Sequence, residues 1–290
     1  MGIDIRWILR YNHNVYFCKR TYFGGSKMKK ITLILLSALL ALSLCACVAS
    51  EEDPSNIDDY AAPDFTHKID TGVLEFEEGH AESAVINGYT GKSTPHKVVV
   101  PAEVGDREVS GSGEGAFYHL STVQAIELPA TVTFIGKNAF AGCTSLEAIV
   151  IPASVEYIDA YAFAKCTALK SVVFLGSSVK SIGDFAFIGC TALETIVLPE
   201  GLESIGKEAF SGCEAIKAMK TPSTLKSIDN LAFYKCPGLN ADGALELTAS
   251  IEKIGEFAFS GINKKYIKAP EGSYAADYVS KMADEEETEK

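Results

Sequence analysis

The dipeptide Ala-Phe recurs at nearly constant spacing along the chain, and this periodicity constrains the fold more than any other feature of the sequence. Successive copies of its Phe are separated by 23, 23, 24, 23, 23 and 26 residues. The positions are Phe117, Phe140, Phe163, Phe187, Phe210, Phe233 and Phe259. A unit of about 23 residues cannot bury its own apolar face, so it needs similar units stacked on either side. The period therefore predicts a solenoid with a ladder of buried Phe.

Two further residue types recur in phase with the Phe. An Ile stands five residues before six of them, and Gly or Asp follows each Ile, as in Ile135-Gly136 and Ile158-Asp159. Gly adopts positive φ freely and Asp tolerates it, so we expect a tight bend at this point. A Cys stands three residues after five of the Phe residues, at Cys143, Cys166, Cys190, Cys213 and Cys236.

A short segment before each bend alternates with period two, which is typical of a β-strand. In residues 146–152, Ile149 and Ile151 are expected to point inward, Ala148 and Val150 outward, and Pro152 to end the strand. Each coil is then a strand, a bend and a short helical turn that carries Ala-Phe. The outward positions form a candidate binding face of small or mildly apolar residues: Ala125, Glu127, Ala148, Val150, Ser171, Val173, Thr195, Val197, Ala218, Lys220 and Glu246.

The five repeat cysteines invite three interpretations: a structural ladder, disulfides or a metal site. Their number is odd, and equivalent residues of adjacent coils lie about 4.8 Å apart, beyond the roughly 3.8 Å between Cβ atoms of a disulfide. The CxxC spacing of zinc sites is absent. We expect a reduced structural ladder without metal, and one or more disulfides are the alternative.

The recurring pattern L-x-x-I-x-L-P-x-x-V-x-x-I-G-x-x-A-F-x-x-C, of which residues 146–166 are one copy, resembles the BspA-like subclass of bacterial leucine-rich repeats. The resemblance covers roughly residues 84–280 and implies a leucine-rich-repeat solenoid, with a parallel β-sheet on one face and short helical turns on the other. It implies an N-terminal β cap with the leading coil in residues 66–108 and repeats in 109–268. Residues 269–290 would form a C-terminal cap and an acidic tail, with Ser273 starting a short helix.

Residues 28–46 have the layout of a signal peptide, because two Lys precede an apolar run from Ile31 to Leu44. The run is shorter than the roughly 20 residues of a membrane-spanning helix. Residues 1–27 fit no targeting pattern and suggest a misassigned start codon.

The segment Leu44-Cys45-Ala46-Cys47 resembles the lipobox of bacterial lipoproteins, in which the final Cys is acylated and becomes the new N-terminus. The resemblance implies Cys47 as the acylated residue. Cys45 fits less well, since Leu44 would precede it where a small residue is wanted. An ordinary signal peptide cut near Ala49 is the alternative. Residues 47–65 then form a polar linker between lipid and domain.

The charge of the chain disfavours nucleic acid as a partner. Its formal charge is −12, and the first 46 residues hold seven of the 26 Lys and Arg but one of the 38 Asp and Glu. The remaining 19 basic and 37 acidic residues give −18. Such a body repels phosphates, because affinity for nucleic acid comes largely from Lys and Arg.

The sequence predicts neither an enzyme nor a cofactor. The histidines that export would retain, His67, His80, His96 and His119, lie at or before the first coil, and HExxH, GxSxG and P-loop motifs are absent. The resemblance instead implies a cell-surface, lipid-anchored, adhesin-like module that binds a protein of a host or neighbouring cell. A structural spacer of the cell envelope is the second hypothesis. The third is an extracellular hydrolase built on residues 50–110.

Overall fold

The computed structural model describes residues 74–78, 83–89 and 96–282, and for residues 74–78 the backbone alone. In these residues the strands, numbered in chain order, form three sheets. Sheet 1 has ten strands: β1 (Leu74–Glu78), β2 (Ala84–Tyr89), β4 (Glu103–Val104), β5 (Arg107–Ser112), β7 (Phe134–Ile135), β9 (Tyr157–Ile158), β11 (Ser181–Ile182), β13 (Ser204–Ile205), β15 (Ser227–Ile228) and β17 (Lys253–Ile254). From β2 onward these strands run parallel, except β4, which pairs antiparallel with β5.

The remaining strands lie on a second side of each coil. Sheet 2 contains β3 (Lys97–Val99), β6 (Ala125–Glu127), β8 (Ala148–Ile151), β10 (Ser171–Phe174) and β12 (Thr195–Ile196). Sheet 3 contains β14 (Met219–Lys220), β16 (Leu245–Glu246) and β18 (Ile267–Lys268). Among the described residues, two short 3₁₀ helices cover Pro237–Leu239 and Lys264–Tyr266, and one α-helix, α1, covers Tyr274–Lys281. All pairing within sheets 2 and 3 is parallel, as a solenoid requires.

Each coil therefore carries two strands, and the prediction of a single sheet was incomplete. The recurring Ile belongs to a two-residue strand of sheet 1, as in β7 and β9, where Ile135 pairs with Ile158. Both Ile side chains point into the core and are at most 1% exposed. The sequence analysis missed this sheet because two residues are too few to show a period-two alternation.

The predicted positive φ at the Gly or Asp after each Ile was wrong. The left-handed residues stand two positions later, at Asn138, Tyr161 and Phe185 among others. A Cβ at Gly136, Gly183 or Gly206 would instead lie 2.6 to 2.7 Å from atoms of the preceding coil. Gly is thus used here for the close approach of two coils.

The segment that carries Ala-Phe is a series of turns and not a continuous helix. The N–H groups of Ala139 and Ala141 donate to carbonyls three residues back in the same coil. The N–H groups of Asn138 and Phe140 donate instead to Ala160 and Ala162 of the next coil. A helix would direct every N–H along its own segment. Because N–H groups here donate alternately within the coil and to the next coil, hydrogen bonds join each coil to its neighbour.

The predicted Phe ladder is confirmed and forms the centre of the core. All seven Phe side chains are fully buried. Neighbouring rings stack with centroids 5.0 to 5.7 Å apart and with planes within 16° of parallel. Each buried Phe contributes on the order of 2–3 kcal/mol of transfer free energy. Each coil should therefore contribute to the free energy of unfolding of the whole stack.

Helix α1 closes the C-terminal end of this ladder. Ser273 is its N-cap, as predicted, and the Ser273 hydroxyl accepts a hydrogen bond from the N–H of Ala276 at 3.1 Å. Tyr278 packs edge-on against Phe259, with ring centroids 6.0 Å apart. Its hydroxyl donates to the carbonyl of Gly255 at 2.9 Å. The helix thus covers the last coil with one aromatic ring and one polar contact.

Ser112 interrupts the inward Ile row of sheet 1, between Ile86 and Ile135. Its side chain is fully buried, and its hydroxyl has no hydrogen-bond partner in the described part of the chain. A buried, unpaired hydroxyl costs about 1–3 kcal/mol. We expect Ser112→Val to raise the free energy of unfolding, measured by urea denaturation, by about 1–2 kcal/mol. Ser171→Val, at a half-exposed position of sheet 2, is the control and should change it little, whereas a destabilised Ser112→Val would contradict the prediction.

Candidate functional site

The centre of the predicted binding face is an apolar patch on the outer surface of sheet 2. Val150 and Val173 are register partners in β8 and β10, and Val197 directly follows β12. Val173 and Val197 are 47% and 50% exposed, and Leu175, next to β10, is 55% exposed. Ile149 and Ile151 point inward and Ala148 outward, as the alternation predicted. We call Ala148, Val150, Val173, Leu175 and Val197 the sheet-2 patch.

One predicted outward residue does not reach the surface. Ala125 is only 3% exposed, although it stands in register with the exposed Ala148. Its neighbour on the other side is Lys97, whose ammonium reaches Glu127 at 2.6 Å. The Lys97 side chain therefore passes beside Ala125, whose single methyl group is too short to emerge. This end of the face presents an ion pair.

The last part of the predicted face lies on a different sheet. Lys220 and Glu246 belong to sheet 3, and Ala218 stands just before it, half-buried. Glu246 lies between Lys220 at 4.0 Å and Lys268 at 3.9 Å. The predicted face is thus divided into the sheet-2 patch and a charged row.

The charges beside the sheet-2 patch are paired with one another. Glu147 pairs with Lys170 at 3.1 Å, and Glu194 pairs with Lys217 at 2.7 Å. Both pairs join adjacent coils, and Glu147, Lys170 and Glu194 stand just before strands of sheet 2, whereas Lys217 stands before β14 of sheet 3. Exposed pairs of this kind contribute little to stability, about 0–1 kcal/mol each. Their effect here is to leave a margin of balanced charge along one side of the apolar centre.

A groove on sheet 1 was not anticipated from the sequence. Its volume is about 230 Å³, and it crosses β11, β13 and β15, with Ser181, Ser204 and Ser227 along it. Asp184 and Asp229 line it, and Lys253 of β17 lies at its C-terminal end. Single Ser residues before Ile give no period-two signal, so the sequence offered no reason to group them.

The five repeat cysteines lie in the core as free thiols. Each Sγ is 3.1 to 3.2 Å from the carbonyl oxygen of the Phe in the preceding coil, to which the thiol can donate. The Cys position therefore connects neighbouring coils as well as filling space. Burial raises the pKa of the Cys143 and Cys213 thiols far above the usual value and raises the pKa of Cys236 to about 12.

These raised pKa values predict a loss of stability at alkaline pH. Above about pH 9 the unfolded chain loses thiol protons that the folded chain retains, so the free energy of unfolding falls as pH rises toward 12. The slope is about 1.4 kcal/mol per pH unit for each such thiol. When the free energy of unfolding is measured by urea denaturation between pH 8 and 10.5, it should decrease less steeply with pH for Cys213→Ala than for the unchanged chain. Equal slopes would contradict this.

Several residues that the sequence analysis singled out lie outside the described residues. Among those described, the side chains form no group with the geometry of a metal site. Cys47, His67 and His80 lie outside. His119 stacks edge-on with Tyr118 in a turn, with ring centroids 4.2 Å apart. In the ranges that the structure covers, no three His, Cys, Asp or Glu side chains are grouped to hold a metal ion. The same ranges contain no helix with the length and apolarity of a membrane span.

The geometry defines a class of protein: a parallel β-solenoid of about 23-residue coils, with ladders of Phe, Ile and Cys inside. Residues 112–240 match the BspA type leucine rich repeat region in six copies, and these residues are therefore BspA-type leucine-rich repeats.

Solved structures of bacterial repeat proteins are similar to this chain. The T. pallidum leucine rich repeat protein is 26% identical, with a TM-score of 0.60, over 71% of this chain and 92% of that one. A leucine-rich repeat protein from Bacteroides ovatus is 22% identical, with a TM-score of 0.43, over 71% of this chain and 77% of that one. No curated protein sequence matches significantly.

Proposed function

We propose that this protein is an exported, lipid-anchored, adhesin-like module that binds a protein of a host or neighbouring cell through the sheet-2 patch. The observation that carries the proposal is the row formed by Val150, Val173 and Val197. Two of these side chains are about half exposed on a rigid sheet, where burial in the fold does not explain their apolar character.

The patch has the layout of a protein interface. Such interfaces place apolar residues at the centre and polar residues at the rim. Here the paired Glu147–Lys170 and Glu194–Lys217 provide a rim without excess charge of either sign. Because the β-branched side chains have few rotamers, ordering them on binding costs little entropy.

The export half of the proposal rests on the sequence. The apolar run of residues 31–44 and the lipobox-like segment that ends at Cys47 favour a lipid anchor. The two acyl chains of one diacylglyceryl group suffice for stable membrane attachment. A position outside the cell also agrees with the BspA-type repeats, which are typical of bacterial surface proteins.

The test is a binding screen with a matched pair of variants. Full-length protein is applied to an array of host extracellular-matrix and cell-surface proteins. We expect binding to at least one of them, and a loss of at least 100-fold in affinity for Val173→Glu combined with Val197→Glu. The control, Tyr118→Glu, alters a residue that is 55% exposed in a turn, and should bind like the unchanged protein.

The other outcomes favour different functions. A protein that binds nothing on the array would support the structural spacer of the cell envelope. Binding that survives the double variant but is lost with Tyr118→Glu would move the contact surface to the turns.

A further inference from the structure

The floor of the sheet-1 groove carries Ser hydroxyl groups that form no hydrogen bond with other described residues. Ser181, Ser204 and Ser227 occupy equivalent outward positions of β11, β13 and β15, paired in register. Adjacent strands lie about 4.8 Å apart, so the hydroxyls repeat at that interval along the groove. Within the described residues the three hydroxyls form no hydrogen bond. They are half-buried and can both donate and accept.

Carboxylates line the groove. One oxygen of Asp184 accepts from the N–H of Lys207 at 2.8 Å, and one oxygen of Asp229 accepts from the N–H of Asn230 at 2.7 Å. These contacts hold both side chains in place beside the Ser floor. An ionised carboxylate has capacity for further hydrogen bonds, so each can still accept from a ligand.

Two aromatic rings stand at the N-terminal end of the groove. Tyr157 is the register partner of Ser181 and is 43% exposed. Its ring stacks on Phe134, with centroids 5.7 Å apart and planes within 10° of parallel. The Phe134 ring fills the space that a side chain at Gly111 would need, so Gly111 makes room for the pair. A stacked aromatic pair thus lies directly beside Ser181, the first Ser of the groove.

A second aromatic pair adjoins the groove. Tyr161 and Phe185 have φ of 59° and 60°, and their rings stack with centroids 4.6 Å apart. Phe185 directly follows Asp184 of the groove. The equivalent residue is left-handed in the other coils as well, at Gly115 and Asn138 in the earlier ones. The same left-handed φ recurs at Glu208, Leu231 and Phe257, so it belongs to the repeat, and what distinguishes this position is the stacked aromatic pair beside the groove.

We propose that the sheet-1 groove binds a neutral oligosaccharide, with a sugar ring against Tyr157 and sugar hydroxyls on the Ser and Asp side chains. An apolar ring face beside several donors and acceptors matches a pyranose, which has an apolar face and many hydroxyls. The hydroxyl interval is close to the length of one sugar unit. Asp184 and Asp229 outnumber Lys253, which disfavours an anionic ligand. A peptide strand has no free edge to join, because β11, β13 and β15 are paired on both sides.

The experiment is affinity electrophoresis of the full-length protein, in mild detergent, through gels that contain a soluble polysaccharide. Hydroxyethyl cellulose, mannan, glycogen and xylan are the neutral probes, and polygalacturonate is the anionic one. We expect retardation by at least one neutral probe. Tyr157→Ala should weaken that retardation about tenfold in dissociation constant. Ser204→Ala should weaken it about threefold.

Two matched controls separate the groove from the rest of the surface. Tyr274→Ala alters a Tyr that is 46% exposed, and Ser171→Ala alters a half-exposed Ser on sheet 2. Both should migrate like the unchanged protein. Retardation by no neutral probe, retardation by polygalacturonate alone, or an equal effect of Tyr157→Ala and Tyr274→Ala would each overturn the proposal. Because the groove lies on sheet 1, these results are independent of the sheet-2 patch.

Discussion

Phe187→Ala is expected to lower the free energy of unfolding by about 3–5 kcal/mol, measured by urea denaturation with circular dichroism. Phe187 lies in the middle of the ladder, between Phe163 and Phe210, with ring centroids 5.0 and 5.3 Å away. Its removal opens a cavity that neighbouring coils cannot close, because their backbones are joined by hydrogen bonds on three sides. It also removes two ring contacts, so the cost should lie at the upper end for a core Phe.

Phe257→Ala is the matched control for this prediction. Phe257 stands two residues before the ladder residue Phe259, but it is 66% exposed, and its φ is 55°. Its removal should change the free energy of unfolding by less than about 0.5 kcal/mol. Equal losses for the two variants would mean that the ladder does not carry the stability of the stack.

Gly201→Ala is expected to lower the free energy of unfolding by about 3 kcal/mol, the second largest effect. A Cβ at Gly201 would collide with the carbonyl oxygen of Ser177 in the preceding coil. Because that oxygen belongs to the backbone, the collision can be removed only if one coil moves relative to the other. The same denaturation measurement serves here.

The reason for Gly201 lies in the length of the coil before it. Other coils hold Ser154 or Thr224 at this position, and each hydroxyl donates to the carbonyl of an inward residue of the preceding coil. The coil that ends at Phe187 has one residue more than its neighbours, and Ser177 lies in the segment that differs. Gly201 therefore makes room for the extra residue. Ser178→Ala is the control and should cost at most about 1 kcal/mol. A Gly201→Ala chain of unchanged stability would contradict this account.

The inside of the solenoid could be predicted from the sequence, because each buried position repeats in every coil. Phe140, Cys143 and Ile149 are examples, and all three are buried as expected. The backbone geometry was harder to predict. Gly after Ile suggested positive φ, yet the left-handed residue is Tyr161 or Phe185, whose side chains give no sign of it. Only the contacts between coils show that the Gly is needed for close approach.

The two candidate sites also differ in how far the sequence predicts them. The sheet-2 patch could be predicted in part, since alternation around Ile149 placed Val150 outward. The burial of Ala125 depends on Lys97, a neighbour in space that the repeat pattern does not include. The sheet-1 groove depends on the register of three Ser residues 23 positions apart, and single Ser residues carry no signal of their own.

The central claim, that this solenoid is displayed on the outside of a cell by a lipid anchor, is tested most directly by intact mass spectrometry. The membrane fraction of cells that express the gene is compared with and without globomycin, which blocks cleavage of lipoprotein signals. We predict a mature chain that begins at a diacylated Cys47 and, with globomycin, an uncleaved precursor. An unmodified chain that begins near Met1 under both conditions would contradict the claim and place the binding partners of both faces inside the cell.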